Sequence, residues 1–468
     1  MIKLIALLLL TITPNTNITG IWKMNGYGQI LEITNSEIKY YDLTQKSCTP
    51  IKTIPSTTKT ELGTIIKVTK DSLFYKNGIT EYHLSRLPQL PDLCAKQDTA
   101  LNKTPLYNFE VFWTTFKENY AFFKERKINW DKIHDTYTAQ INEKTTNLQL
   151  YTIFNSIIAQ LNDDHTTFPE PDELTEAIAK NNAAAAISPF KLPETNRKEL
   201  RDGTIAQYAP QFKSAGRDMY GKGLVNWGIT KDNIGYLQVN WMLFYNSYDI
   251  PETLTGEAYT AQYFEKTAAN PNMLTQELTA IKKIMKEVTS DFKNTKGIIL
   301  DIRFNGGGYD DVALEILSHF TQQQITVFTK KAKLPTGGFT QPQAIRLIPA
   351  PDSERLNQPL IILTSHSSAS AAEILAISSM ALKNVLRIGS NTEGIFSDVL
   401  EKKLPNGWSF SLSNEVYQNF EGKNFENIGI PPTVAVEYPK GDELFFYYMI
   451  QGLKQKDKAI ELAIELLK

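Results

Sequence analysis

Residues 297–309 read Gly297-Ile-Ile-Leu-Asp-Ile-Arg-Phe-Asn-Gly-Gly-Gly-Tyr309, and residues 359–376 read Pro359-Leu-Ile-Ile-Leu-Thr-Ser-His-Ser-Ser-Ala-Ser-Ala-Ala-Glu-Ile-Leu-Ala376. Each begins as a short unbroken apolar run, passes through a turn of small residues and continues into a helical pattern. A run that is apolar on both faces suits a strand covered on both sides, and strands of that kind alternating with helices imply a mostly parallel sheet. Ile234-Gly-Tyr-Leu-Gln-Val, Val385–Gly389 and Trp408–Ser413 read as further strands. Leu278, Ile281, Met285 and Val288 mark a helix at spacings of three and four, as do Val312–Phe320 and Ala369–Leu382 after the two turns. Residues 230–440 are therefore expected to form an α/β core, with helices closing the chain over 441–468.

Upstream the period changes twice. Between residues 20 and 100, Ile30-Leu-Glu-Ile-Thr, Ile38-Lys-Tyr-Tyr, Thr64-Ile-Ile-Lys-Val, Ser72-Leu-Phe-Tyr and Ile79-Thr-Glu-Tyr-His-Leu alternate apolar and polar residues, with Asn, Gly and Asp between them. This predicts a small antiparallel β domain of five or six strands. Over 105–185, Phe109, Phe112, Trp113, Phe116 and Tyr120, then Leu150, Ile153, Ile157 and Leu161, recur at helical spacing and predict a helical segment whose aromatics pack its core. Residues 1–19 carry Lys3 and the apolar run Leu4–Ile12, too short for a membrane span but suited to a secretory signal. Export to a periplasm, cell envelope or extracellular space is the expectation, with a buried first strand as the alternative. In an exported chain Cys48 and Cys94 read as a disulfide; in a cytosolic one they would be two buried thiols.

The chain has 468 residues, 42 % hydrophobic and 21 % charged, which excludes a disordered tail or a small disulfide scaffold. Its 49 basic and 51 acidic residues leave a formal charge of −2, and no basic stripe marks a nucleic-acid surface. Five histidines and two cysteines leave few candidates for His or Cys chemistry, and no ligand cluster implies a metal or other cofactor.

Chemistry concentrates in the two turns. Gly306, Gly307 and Gly308 let backbone approach a ligand closely, and a serine at the head of a helix sits in a partial positive field. Read alone, the first is as readily a flexible loop as a ligand-binding turn, and the second reads as a helix cap. Together, and followed by Ile428-Gly-Ile-Pro-Pro, they resemble the C-terminal processing (tail-specific) protease family, serine peptidases with a crotonase-like core. The resemblance covers about Tyr107–Pro439. It implies that Ser370 is the nucleophile and that Ala371 with Gly306 and Gly307 forms the oxyanion hole.

Serine needs a base. The position 25 residues after Ser370, where the processing branch carries its lysine, is Ile395, which removes that mechanism unless Lys383, Lys402 or Lys403 moves in. His83, His134, His319 and His366 have no evident role. Leu161-Asn-Asp-Asp-His-Thr is similar to the Leu-x-Asp-x-His-Thr motif of the tricorn-core and interphotoreceptor-retinoid-binding-protein-like branch, which implies His165 as base. The same resemblance implies Glu426, in Phe425-Glu-Asn-Ile-Gly-Ile, as the acid that orients it; Asp163 and Asp164 compete for that role. An exported serine peptidase acting on a peptide or protein is the leading reading. A ligand- or peptide-binding protein on the same core is the alternative, and a binding role centred on the N-terminal β domain is a third. The interval from Phe168 to Ile234 is too short and irregular for a PDZ domain.

Overall fold

The computed structural model describes residues 17–56, 62–96, 98–182 and 194–468, so the apolar run Leu4–Ile12 lies outside them. The N-terminal region is one antiparallel sheet of seven strands: β1 (Gly20–Met24), β2 (Gln29–Ile33), β3 (Glu37–Leu43), β4 (Cys48–Pro55), β5 (Thr64–Val68), β6 (Ser72–Asn77) and β7 (Thr80–Leu87). Their order is β4-β3-β2-β1-β7-β6-β5. β1 and β4 extend the pattern expected from sequence. Pro50 and Pro55 interrupt the alternation of β4, which an edge strand tolerates because one side needs no ladder donors. A disulfide joins Cys48 to Cys94 in the short helix α1 (Asp92–Ala95), with Cα atoms 4.8 Å apart.

Helices α2 (Pro105–Asn119), α3 (Trp130–Thr138) and α4 (Asn147–Leu161) follow. Phe109, Phe112, Phe116, Phe154 and Ile157 meet Trp22, Leu31 and Leu73 of the sheet in one apolar core. A capping box between Thr146 and Gln149 starts α4, and Asn162, in the left-handed region at φ 49°, ends it. That stop turns the chain directly into His165. Helices α5 (Thr175–Asn182) and α6 (Glu194–Tyr208) lead into the core.

The core sheet contains β8 (Lys213–Asp218), β9 (Gly221–Ile229) and β10 (Gly235–Val239), followed after α7 (Gly256–Ala268) and α8 (Met273–Phe292) by β11 (Ile298–Asp301). Helix α9 (Asp310–Ser318) and strands β12 (Ile325–Ala332) and β13 (Gln343–Leu347) precede β14 (Leu360–Thr364), then α10 (Ala371–Ser379) and β15 (Val385–Gly389). Strands β16 (Val399–Lys403), β17 (Ser409–Ser413), β18 (Glu415–Asn419) and β19 (Val434–Ala435) and helices α11 (Asp442–Gly452) and α12 (Lys458–Leu467) complete the described chain. The sheet runs β19-β15-β14-β11-β10-β9-β8, parallel from β19 to β10 and antiparallel beyond.

Alternate residues of the central strands face opposite layers, as the two-residue period requires. Leu300 and Ile362 pack with Met285, Val288, Leu317 and Ile374 of α8, α9 and α10, whereas Ile299, Ile361 and Leu363 pack with Ile205 of α6 and Ile460 and Ile464 of α12. Coverage on both faces explains the continuous apolar runs. The turns after β11 and β14 then emerge side by side at the carboxyl end of the sheet, where open α/β folds place their sites. The fold class is thus the expected α/β core preceded by helices and an N-terminal antiparallel sheet.

A chain with Cys48→Ser and Cys94→Ser is expected to lose about 3 kcal/mol of unfolding free energy, because the bridge closes a long loop of the unfolded chain. Urea unfolding of both forms without reductant measures it, and an unchanged midpoint would refute it.

Candidate active site

The turn after β11 is built on a buried ion pair. Arg303, fully buried, donates from Nη2 to Asp301 Oδ2 at 2.6 Å and from Nε to Asp301 Oδ1 at 2.9 Å, while its Nη1 reaches Asp457 Oδ2 at 2.7 Å. Asp457 in turn caps α12 by accepting from Ala459 and Ile460 N–H. The charges of Asp301-Ile-Arg303 therefore hold the frame. Ser365 Oγ donates to Arg303 O at 2.7 Å and Ser368 Oγ to Ile302 O at 2.8 Å, so two of the turn serines bind one turn to the other. Ser367 Oγ donates to Asp442 Oδ1 at 2.5 Å. Ser370 Oγ has no hydrogen-bond partner among the described residues.

Ser370 occupies the N-cap of α10 at φ 52°, ψ −121°, a conformation that costs a serine roughly 1–3 kcal/mol and that surrounding structure must impose. The imposition comes from Gly307, at φ 108°. A Cβ there would lie 2.6 Å from Ser370 Cβ and 3.2 Å from Ala371 N, so only glycine lets the two turns meet. Asn305 fastens them, accepting Ala369 N–H on its backbone oxygen at 3.1 Å and Gly307 N–H on Oδ1 at 2.9 Å. Gly307 N–H is consequently turned toward Asn305. Ala371, the first residue of α10, has no intrahelical acceptor for its N–H and stands in the positive end of the helix dipole. A Cβ at Gly306 would lie 2.8 Å from the Trp241 ring, which packs against this turn.

Glu373 follows Ser370 at the spacing of a capping box, although the Ser370 hydroxyl itself makes no cap bond. The buried Glu373 carboxylate faces the Ser370 backbone N–H and accepts from Thr392 Oγ1 at 2.6 Å, Gly394 N–H at 2.8 Å and Ile395 N–H at 2.8 Å. Burial pushes it up to about 7, against the pull of those donors. The loop Thr392–Asp398 so anchored touches the segment of each candidate. Glu393 N–H donates to Ser368 O at 3.1 Å, Phe396 N–H donates to Glu426 Oε2 at 2.9 Å, and the Ser397 backbone faces His165.

His165 stands in a turn fixed by Asp163, whose Oδ1 accepts His165 N–H at 3.1 Å and whose backbone oxygen accepts Thr166 N–H. Ser411 Oγ holds His165 O at 2.8 Å. Burial lowers the imidazole from its ordinary value, with Asp163, the Ser397 backbone, Asp398 and Asp164 opposing. Its Nδ1 is buried with no hydrogen-bond partner among the described residues. Glu426, 2 % exposed, is pushed up to about 8, by burial first and then by Asp163. No hydrogen bond joins Ser370, His165 and Glu426 to one another among the described residues; the loop brings their segments together.

Asp163 is tied up by Tyr120 OH at 2.9 Å and Ser413 Oγ at 3.2 Å, and Asp164 shares a hydrogen bond with Glu393, whose carboxyl burial and that bond raise to about 9. The other histidines have partners elsewhere: His83 stacks on Phe74, His134 Nε2 meets Glu110 Oε1 at 2.8 Å, His319 Nδ1 meets Glu354 O at 2.9 Å, and the His366 ring lies edge-on to Phe445. Ile395 is buried where a lysine was sought. Lys402 Nζ is held by Tyr27 O, Gly28 O and Asp42 Oδ1. Lys383 lies exposed beyond the far end of α10, about 14 Å from Ser370 along a helix rising 1.5 Å per residue. Among the described residues no group of three His, Cys, Asp or Glu converges as a metal set.

Sequence reasoning missed Arg126. Its Nη2 donates to Glu426 Oε1 at 2.8 Å, its Nε lies 3.6 Å from Asp163 Oδ2, and its Nη1 reaches the carbonyls of Leu161 and Asn162. Within Lys124-Glu-Arg-Lys it reads as part of a solvated charged turn, and no local signal separates it. Glu373 left one signal, its three-residue spacing from Ser370, which pointed to a cap.

Residues 264–436 match the model of peptidase family S41, and residues 102–159 match the tricorn protease C1 domain. The carboxy-terminal-processing protease of Bartonella bacilliformis is 28 % identical over 191 residues, 41 % of this chain and 41 % of that protein. The tricorn protease of Thermoplasma volcanium is 29 % identical over 171 residues, 36 % of this chain and 15 % of that protein. The chain thus spans well under two thirds of the length of either relative. A crystal structure of a candidate peptidase from Parabacteroides merdae superposes with a TM-score of 0.55 at 25 % identity, covering 78 % of this chain and 97 % of that one. Mature CPAF complexed with lactacystin shares the fold with a TM-score of 0.50 at 10 % identity, over 79 % and 99 % of the two chains.

Gly307→Ala is expected to lower any reactivity of Ser370 by at least about 100-fold, because the added carbon drives the two turns apart. Circular dichroism should show the helices and sheets retained; unchanged reactivity would mean that the turns need not touch.

Proposed function

We propose that this chain, a member of peptidase family S41, is an exported serine peptidase that hydrolyses peptide bonds of a peptide or protein through an acyl-enzyme on Ser370. The observation that carries this is the enforced backbone of Ser370, held at φ 52° against Gly307 at the head of α10. Such a turn presents a hydroxyl and the next N–H to one reacting carbonyl.

Ser370 Oγ attacks the scissile carbonyl carbon while its proton passes to His165, which burial keeps neutral and therefore able to accept it. The new C–O bond generates an oxyanion that Ala371 N–H receives in the field of α10, with Gly306 supplying the facing turn amide. Gly307 serves by lacking a side chain. Breaking the C–N bond releases the amine, which takes the proton from His165. Water then attacks the ester, giving a proton to the same imidazole, and Ser370 is restored. Glu426 is the acid that stabilises the charged imidazole. The serine, base and oxyanion donors together must lower the barrier by on the order of 8 kcal/mol or more. Export is supported by the Lys3 and Leu4–Ile12 leader pattern and by the Cys48–Cys94 disulfide, a bond that persists in oxidising compartments.

A second reading is a ligand- or peptide-binding protein on the same core, favoured by the lack of hydrogen bonds among the three side chains. A fluorophosphonate probe separates the two. Labelling is expected on Ser370 in the wild type, absent in Ser370→Ala, and at least about 100-fold slower in His165→Ala. A folded wild type that resists the probe and cleaves no peptide would favour the carrier.

A further inference from the structure

We propose that Arg126 is a positioning residue that favours the carboxylate form of Glu426 and seats it, with the turn bearing His165, against the loop Thr392–Asp398. The inference rests on the peptidase reading above. Arg126 reaches two carboxyl groups that belong to different parts of the site. Its Nη2 holds Glu426 Oε1 at 2.8 Å, and its Nε faces Asp163 Oδ2 at 3.6 Å. Its Nη1 donates to the last carbonyls of α4, which precede the His165 turn. The Arg126 side chain is 3 % exposed, Glu426 1 % and Asp163 0 %, so water screens little of their interaction.

The groups facing Glu426 come from three elements. Arg126 approaches from the turn after α2, Asp163 from the turn after α4, and Phe396 N–H from the loop. Tyr120 OH, at the end of α2, donates to Asp163 Oδ2. Burial and Asp163 push the Glu426 carboxyl up, and Arg126 with Phe396 N–H pulls it down. A single guanidinium therefore stands between two buried carboxyls, and without it a proton on one of them is held more tightly. Glu426, raised to about 8 even with Arg126 in place, is the one that holds it, and without Arg126 it ionises only at higher pH. A neutral Glu426 cannot stabilise an imidazolium. A carboxylate offers about four acceptor sites, so the bonds from Arg126 and Phe396 leave capacity for His165.

The sign follows. Glu426 is charged above its pKa and neutral below it, so the catalytic form is lost as pH falls through that value. Removing Arg126 raises the value and moves the acid limb of the pH profile to higher pH.

The test is the pH dependence of fluorophosphonate labelling and peptide cleavage in the full-length chain, comparing wild type, Arg126→Gln, Arg126→Lys and Glu426→Gln. In Arg126→Gln the acid limb is expected to move up by about one pH unit or more, with kcat down at least tenfold and KM within about twofold. Arg126→Lys restores the charge without the fork and should recover part of both effects. A fall in kcat equal at every pH, or no recovery with lysine, would reduce Arg126 to a structural ion pair and overturn the proposal. Should Arg126→Gln fail to fold, Glu426→Gln decides: the acid limb assigned to Glu426 must disappear, and its survival at the wild-type position refutes the inference. A wild type that labels normally while these variants leave the limb unmoved defeats this inference alone. A wild type that never labels defeats the peptidase reading beneath it.

Discussion

The carboxylate of Glu373 is the interaction from which the rest of the site hangs. It grows from the first turn of α10, and its three acceptor bonds pull Thr392, Gly394 and Ile395 down onto the helix that carries Ser370. That loop in turn meets the segments that carry the other candidate groups. Thr392 Oγ1 also accepts Ile430 N–H at 2.6 Å, Phe396 N–H holds Glu426, and the Ser397 backbone meets His165. A buried carboxyl is costly unless its oxygens are satisfied, and here the backbone of the loop provides the satisfaction. The order of the loop and the ionisation of Glu373 support each other.

The site is composite. The parallel sheet supplies Ser370 and the glycine turn, whereas Arg126 and His165 come from the helical region that shares its core with the N-terminal sheet. Lys330 strengthens the seam between them: its Nζ, raised by the carboxylates around it, meets Thr80 Oγ1 of β7, Asp398 at the end of the loop, and Glu415 of β18. A cation held so firmly charged is no general base. The N-terminal sheet thereby bears on the same loop as the candidate groups, which gives it a structural part in the site.

How much of this was legible depended on whether the signal was local. The α/β alternation could be read because strands covered on both faces have no polar residues to hide them, and the glycine and serine turns could be read because close backbone approach permits few residue types. The expected α/β core with preceding helices and an N-terminal sheet followed from the period of the apolar residues. β4 escaped because Pro50 and Pro55 break the alternation that a strand is recognised by, and β1 because Ile21 and Trp22 set two apolar residues side by side in a run of only five. His165 and Glu426 were named through likeness to a family, since His165 stands more than 200 residues before both Ser370 and Glu426 along the chain. Arg126 could not be named at all: one arginine among charged neighbours looks the same whether it faces water or two buried carboxyls. The reverse error was available in Asp301 and Arg303, whose charges beside three glycines resemble chemistry but secure the frame.

That frame has a consequence in time. Arg303, wholly enclosed beneath the turn that bears Ser370, completes its set of carboxylates only when Asp457 arrives at the head of α12. During synthesis the segments carrying Arg126 and His165 emerge early, while this last counter-charge emerges more than 150 residues after Arg303 itself. A guanidinium enclosed without its full complement of partners favours an open, hydrated arrangement. The ion set beneath the turn that bears Ser370 is therefore complete only once the C-terminal helix has docked.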